Sequence, residues 1–407
     1  MSAAVNNRKA ILMMAYTHYE SDPRVIREAE AAVSGGFDVD FLALRLNHNP
    51  AVENVRGVRV LRVAQSRYRG GGHVSYLASY LQFFLRCFGL STMLHLRRRY
   101  VAIHVNNMPD FLVFSTLIPR LLGAKVILDI HDPMPNTFVA KFKSGESGFF
   151  YRLLLWQERL SAAYCHRVIT VHHPVRDGIL VQHGLSPESI EVIANFADEE
   201  LFRLREHYQV GDVIRLVFHG TILERSGLRP LMQALAKVRH RDRIRCRIIG
   251  EGDFSQTLRG LIESLGLGSM VEFDNRSYPV HEIPARINDC HVGIIPLELS
   301  TVTNYALPLK LVEYIAMGLP VISIRSAAIT YYFKEQDCLF YQWDDPASLA
   351  TVIDALAENP RLLQQYRDRS VAIRHRFLWS HEKQKYIELL CGLAGEAPLA
   401  APVAEAA

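Results

Sequence analysis

The stretch Thr303–Ile322, TNYALPLKLVEYIAMGLPVI, decides how the chain is read. Pro308 suits a first helical turn, Gly318 supplies a stop, and Pro320 forbids continuation, so the pattern predicts a short helix over about 308–317. Val321, Ile322 and Ile324 then read as a buried strand. Lys310 and Glu313 fall on one face of that helix. By itself the spacing reads first as a surface ion pair on a core helix, with a ligand site as the alternative.

The same helix-then-strand unit recurs outward in both directions. Apolar, β-rich runs are predicted at 10–16, 38–44, 58–63, 101–105, 125–130, 167–171 and 190–195. A second series falls at 214–220, 245–250, 270–274, 291–297 and 319–324. Continuous apolar strands separated by helical patterns indicate parallel sheets covered on both faces. Two series predict an α/β protein with two doubly wound, Rossmann-like domains, at 1–196 and 212–378, facing a central cleft. The charged stretch 196–212 reads as the break between them. Residues 379–394 read as a C-terminal helix that packs back on the first domain, and the Ala/Pro-rich 395–407 as a disordered tail.

With 407 residues the chain suits two domains, and 49% hydrophobic with 22% charged residues is an ordinary globular composition. Arg8-Lys9 leads straight into the first predicted strand, so no signal peptide is read at this end. The six cysteines are scattered without CxxC or metal-ligand spacing, which predicts free thiols in a reducing compartment and no metal centre.

The net charge of +4 is unevenly placed. No acidic residue lies between Glu53 and Asp110, where Arg56, Arg59, Arg62, Arg67, Arg69, Arg86, Arg97, Arg98 and Arg99 accumulate. Within this zone, YLASYLQFFLRCFGLSTMLHLRRRY (76–100) has helical apolar spacing and a basic end. It reads either as a helix lying on an anionic membrane surface, through Arg86, Arg97, Arg98 and Arg99, or as a core helix with a solvated basic end. No recognition motif accompanies the charge, so nucleic acid is not expected. The first strand leads into THYESDPRVIREAEAAVSGGF (17–37) without GxGxxG, which argues against a dinucleotide oxidoreductase.

SDPRVIREAEAAVSGGFDV, DIHDPMP, VIANFAD, HGTILERSGL, IIGEGDF and LPLKLVEYIAMGLPVI occur in this order, and together they resemble the family 4 bacterial glycosyltransferases. The resemblance spans roughly residues 9–360. It implies the GT-B fold, a nucleotide-sugar donor (a UDP- or GDP-sugar) held mainly by the C-terminal domain, and metal-independent transfer with retention of anomeric configuration. It requires no cofactor. Lipid-linked glycan acceptors at the inner face of the cytoplasmic membrane are the implied partners.

The resemblance also assigns residues. Lys310 would meet the donor diphosphate near a helix N-terminus, and Glu313, the last Glu of the family's Glu-seven residues-Glu motif, would hold the ribose hydroxyls. The first Glu of that motif is replaced by Tyr305, which puts the identity of the sugar in question; Leu307 lies on the same donor loop. In GTILERSG the family often places Arg after the first Gly and Lys before the second; here Thr221 and Ser226 stand there, and Arg225 is expected to reach the diphosphate instead. Gly220 and Gly250 would give close backbone approach at strand ends. On the other domain His131 would bond the donor sugar, Asp132 would orient or deprotonate the acceptor hydroxyl, and Asn106 and Asn107 would line the acceptor side. Two alternatives remain: a nucleotide-sugar 2-epimerase on the same fold, and a catalytically silent donor-binding or scaffold protein, the latter motivated by Tyr305, Thr221 and Ser226.

Overall fold

Apolar runs such as AILMM, buried at every position, form the central strands of two sheets. The computed structural model describes residues 8–46, 49–66, 73–142 and 148–397, so Arg67, Arg69 and most of the expected tail lie outside the described residues. The chain divides into one unit built from its N-terminal part to Ala194 plus the segment from His381, and a second unit, Asn195–Ser380.

The first unit holds eight strands: β1 (Ala10–Met14), β2 (Asp38–Leu44), β3 (Val52–Val55), β4 (Val58–Val63), β5 (Ala102–Asn106), β6 (Lys125–Ile130), β7 (Arg167–Thr170) and β8 (Ile190–Val192). Their order is β3-β4-β2-β1-β5-β6-β7-β8, parallel throughout except for β3 against β4. The chain reverses its direction of travel between β1 and β5, which opens a crevice at their carboxyl ends. Around the sheet lie α1 (Pro23–Ser34), α2 (His73–Arg98), α3 (Leu117–Leu121), α4 (Met134–Phe142) and α5 (Phe149–Tyr164). Asp22 caps α1 by accepting from Val25 N, and Pro23 occupies its first turn.

The second unit holds β9 (Ile214–His219), β10 (Ile244–Ile249), β11 (Val271–Asp274), β12 (Val292–Ile295), β13 (Val321–Ile324) and β14 (Leu339–Tyr341), all parallel in the order β11-β10-β9-β12-β13-β14. Its switch point lies between β9 and β12. The helix Leu309–Ala316 enters this edge and buries Leu311, Val312, Tyr314 and Ile315 against the sheet. Pro308 does not lie in its first turn. With ψ at 123° it is the N-cap residue, and no side chain caps the helix there.

Two strands escape the periodicity. β3 is exposed along most of its length and reads VENV, and β14 is three residues long. The stretch 196–212 is not a bare linker. Phe202 is buried, Arg205 N donates to Met317 O at 3.2 Å, and the Arg205 side chain donates to Cys290 O, all inside the second unit. The C-terminal helix Trp379–Ala394 packs on the first unit from His381 onward: Glu382 accepts from Ala194 N at 2.8 Å, and Tyr386 Oη lies 2.6 Å from His104 Nδ1. All six cysteines are free thiols, and all but Cys165 are buried.

Candidate active site

In the second unit the site residues converge on the end of β9. Gly220 follows that strand with φ +120°, a conformation open to glycine and strained for other residues. A Cβ there would stand 3.2 Å from Lys310 Nζ, so the ammonium lies directly against the glycine backbone. The Lys310 ammonium also sits over the Phe218 ring, 4.1 Å from its centroid. Burial pushes Lys310 down to about 8, against the pull of nearby Glu313. A half-buried lysine with no anion in immediate contact among the described residues is poised for one. Gly250, with φ +144°, ends β10; a Cβ on it would come 1.9 Å from Gly220 O, so the two strand-end loops touch through backbone alone.

Glu313 does not pair with Lys310 on the surface. It is buried, and its Oε2 lies 3.3 Å from His219 Nε2. Tyr314 fixes that histidine from the other side: its hydroxyl accepts from His219 N at 3.2 Å and donates to Val217 O at 3.2 Å, and the two rings meet edge-on. Thr221 is exposed at the loop start. Ser226, at the position where the family often has Lys, is a loop staple: its hydroxyl donates to Thr221 O at 2.9 Å and accepts from Leu223 N at 3.3 Å. Arg225 projects into solvent while its carbonyl accepts from Glu298 N. Tyr305 and Leu307 are half-buried in the turn ahead of the helix Leu309–Ala316.

In the first unit a buried charge cluster lies under the carboxyl end of β6. Arg24 donates through Nε and Nη2 to both oxygens of Asp129, at 2.7 and 2.9 Å, and its Nη2 lies 3.0 Å from Glu28 Oε1. Burial pushes the Glu28 carboxyl up to about 8, only partly offset by Arg24. His131 Nδ1 is 3.9 Å from Asp129 Oδ2; burial pushes the ring down, but Asp129 more than reverses this and holds it up at about 9. His104 is wholly buried and pushed down to about 4. Glu28, His104 and Asp129 offer ligand atoms within 4.8 Å of one another, a spacing that fits a metal. The Arg24 fork already occupies both Asp129 oxygens, so the donor set fits a structural ion pair better.

Asn106 and Asn107 do not line an open surface. Asn106 is fully buried, and with its amide turned so that the nitrogen faces the two carboxylates it donates to Asp129 Oδ2 and Glu28 Oε2 at 3.2 and 3.3 Å. Asn107 holds the turn after β6: its Oδ1 accepts from His131 N and Asp132 N, and its Nδ2 donates to Asp132 O at 2.7 Å and Asp110 Oδ1 at 3.0 Å. That leaves His131 partly open and Asp132 exposed. Sequence reasoning missed Arg24, Glu28, Asp129, His104 and His219. One signal was available: Arg24 and Glu28 fall on the same helical face as Val25, Ala29 and Ala32, where only a buried partner accommodates charge.

The four arginines assigned to a membrane surface separate. Arg98 is tied to Asp38 and Asp40, and Arg86 donates to Ala64 O, whereas Arg97 and Arg99 are exposed. Leu77–Arg98 is long and apolar enough to cross a membrane by length and composition. One face of it is nevertheless packed, through Tyr80, Phe83, Cys87, Ser91 and Leu94.

Two largely parallel α/β units, the second with glycines at its strand ends, suit a GT-B protein, and the comparisons agree. The model for "Glycosyl transferases group 1" matches residues 204–371, and that for "Glycosyl transferase 4-like domain" matches residues 22–195. The chain belongs to the GT-B glycosyltransferases of this group 1/family 4 type. It is 29% identical over 161 residues to a Salmonella typhimurium protein named as a colanic acid biosynthesis glycosyltransferase, WcaL, covering 38% of this chain and 39% of that one. Matches to the curated relatives span between 39% and 52% of their length. Sucrose-phosphate synthase from Thermosynechococcus elongatus superposes with a TM-score of 0.72 at 18% identity, over 95% of this chain and 100% of that one. Anabaena HepE in complex with UDP and glucose gives 0.69 at 16% identity, over 95% and 100%.

Proposed function

We propose that the protein is a retaining glycosyltransferase that moves a sugar from a UDP- or GDP-sugar to a lipid-linked or surface-polysaccharide acceptor at the inner face of the cytoplasmic membrane. The observation that carries this reading is the strand-end group of Gly220, Lys310 and Glu313, in a fold shared with a UDP-bound protein. Lys310 and the uncapped N-terminus of Leu309–Ala316 take the diphosphate, which gains charge as the bond from the sugar C1 to its phosphate oxygen breaks. Glu313, beside His219, accepts from the ribose hydroxyls, and Tyr305 and Leu307 border the sugar. The exposed Arg225 closes on the phosphates when the donor is bound.

The acceptor oxygen attacks C1 on the face the diphosphate leaves, and its proton passes to the departing phosphate oxygen. His131, as an imidazolium, bonds the transferred sugar, and Asp132 orients the acceptor hydroxyl. None of these steps requires a metal or cofactor. The apolar α2, with Arg97 and Arg99 at its basic end, supports peripheral contact with an anionic membrane. No observation here favours the 2-epimerase.

A thermal-shift screen against UDP- and GDP-sugars without added metal tests the donor reading. A donor present at about 100 times its dissociation constant stabilises by ~2.7 kcal/mol. A shift with one nucleotide sugar that Glu313→Ala abolishes is expected; silence with every donor refutes the proposal. Transfer to a lipid-linked acceptor extract, with none when donor alone is incubated, then separates a transferase from an epimerase or a scaffold.

A further inference from the structure

Large apolar side chains are exposed in one region of the first unit. Of the 16 exposed large hydrophobic residues among those described, 13 lie on α2, on α3 with Leu122 just beyond it, and on α5. These elements are neighbours. Phe84 of α2 meets Phe111, Phe114 meets Tyr164 of α5 with ring centroids 5.0 Å apart, and Arg120 of α3 sits over that same Tyr164 ring at 4.7 Å. On α2 the exposed set is Leu77, Leu81 and Leu85, one turn apart each, continuing to Met93 and Leu96. On α5, Phe149 is 75% exposed, Phe150 64% and Trp156 59%.

Among the described residues of these helices, the exposed charge has one sign. Neither α2 nor α3 contains an acidic residue, and the sole one on α5, Glu158, is wholly buried against His183 at 2.6 Å. Arg97, Arg152 and Arg159 are exposed on the same helices, and Arg99 directly follows α2. An apolar patch whose exposed charges, among the described residues of these helices, are all cations is complementary to anionic headgroups over acyl chains. A two-fold partner of the same kind would bring these arginines face to face, which disfavours self-association. Because α2 keeps its other face in the core, it is suited to lie along an interface and not to cross one.

We propose that α2, α3 and α5 form one monotopic membrane-docking face, with Phe149, Phe150 and Trp156 of α5 inserting at the headgroup–acyl boundary of an anionic bilayer. The basic end of α2 is then the rim of the contact and α5 its wedge. This deepens the membrane contact proposed above and rests on that reading for the choice of membrane only.

The test uses the full chain with sedimented vesicles of phosphatidylcholine alone or mixed with phosphatidylglycerol, without donor or acceptor. Binding to the anionic vesicles, weakened by salt, with a blue shift of tryptophan emission, is expected. Trp156→Phe should keep the binding and lose the shift, since Trp343 and Trp379 lie outside α2, α3 and α5. Phe149→Ser/Phe150→Ser/Trp156→Ser should bind about tenfold more weakly or worse, while its circular dichroism and cooperative thermal melting without ligand match wild type and show it folded. Three results would overturn the proposal: no wild-type binding to anionic vesicles, undiminished binding by the triple variant, or a concentration-dependent dimer that the triple variant abolishes. Failure of the donor screen leaves this test intact, so the two readings fail separately.

Discussion

Glu313 Oε2 stands 3.3 Å from His219 Nε2, and the Tyr314 hydroxyl holds the backbone N–H of that histidine at 3.2 Å. A carboxylate with a histidine beside it on one side keeps acceptor capacity on the other, which suits the paired hydroxyls of a ribose. Hydrogen bonds to a charged partner contribute about 1.5–3 kcal/mol. Glu313→Ala should therefore weaken donor binding roughly 10- to 100-fold by calorimetry, and Glu313→Gln less. An unchanged affinity for Glu313→Ala would remove this residue from the site.

Lys310 gives that site a pH dependence. Burial lowers its proton affinity from 10.5 to about 8, so in the free protein the charged form is disfavoured. A depressed value means that stability from this group is present above the unfolded value and lost as pH falls through about 8. At pH 7 the free protein thus carries a destabilising ammonium that a bound diphosphate relieves. Lys310→Met should raise the stability of the free protein at pH 7 by ~1–3 kcal/mol while weakening donor binding. Wild-type donor affinity should fall as pH rises from 7 to 9, and Lys310→Arg, which keeps its charge, should flatten the profile.

The Arg24–Asp129 pair makes a separate prediction for the first unit. Both side chains are buried and joined by two hydrogen bonds. Removing one partner strands a charge, so Asp129→Asn or Arg24→Met should cost ~3–5 kcal/mol. The double replacement Arg24→Met/Asp129→Leu should cost less than the sum, as read from urea midpoints. Asp129 is also what holds His131 up at about 9 against the downward push of burial. A raised value means that this contribution is complete below the unfolded histidine value and lost as pH rises through about 9. In Asp129→Asn the His131 ring, followed by NMR, should titrate well below 9.

Much of this arrangement was legible in the chain. Parallel sheets follow from uninterrupted runs such as AILMM and VGII, because a strand covered on both faces has no polar alternation to show. The shared helical face of Lys310 and Glu313 follows from their spacing, whereas their donor-binding roles are what the family resemblance implies. What escaped was set by three-dimensional partners. Asn106 and Asn107 look like polar strand-end residues until Asp129, Glu28 and the His131–Asp132 turn are brought beside them. Ser226 looks like a missing cation until its hydroxyl is seen to close its own loop. Exposure of α5 was equally hidden, since FFYRLLLW has the composition of a core helix; only packing shows which ring faces outward.

The contact between the two strand-end loops of the second unit provides the last prediction. Gly250 has φ +144°, and a methyl group there would sit 1.9 Å from Gly220 O, a backbone atom that cannot move aside without shifting β9. Gly220 has φ +120°, yet a methyl group on it would meet only the end of the Lys310 side chain, 3.2 Å away. Both alanine variants bear the backbone strain of a left-handed conformation, about 1–3 kcal/mol each. Only Gly250→Ala adds the collision, so it should be clearly the less stable of the two by thermal melting. Gly220→Ala should instead remain folded and lose donor affinity, because the methyl group displaces the ammonium from the place the diphosphate needs. If both variants melted alike and both bound donor normally, the strand-end contact would be packing alone and the donor site would lie elsewhere on this unit.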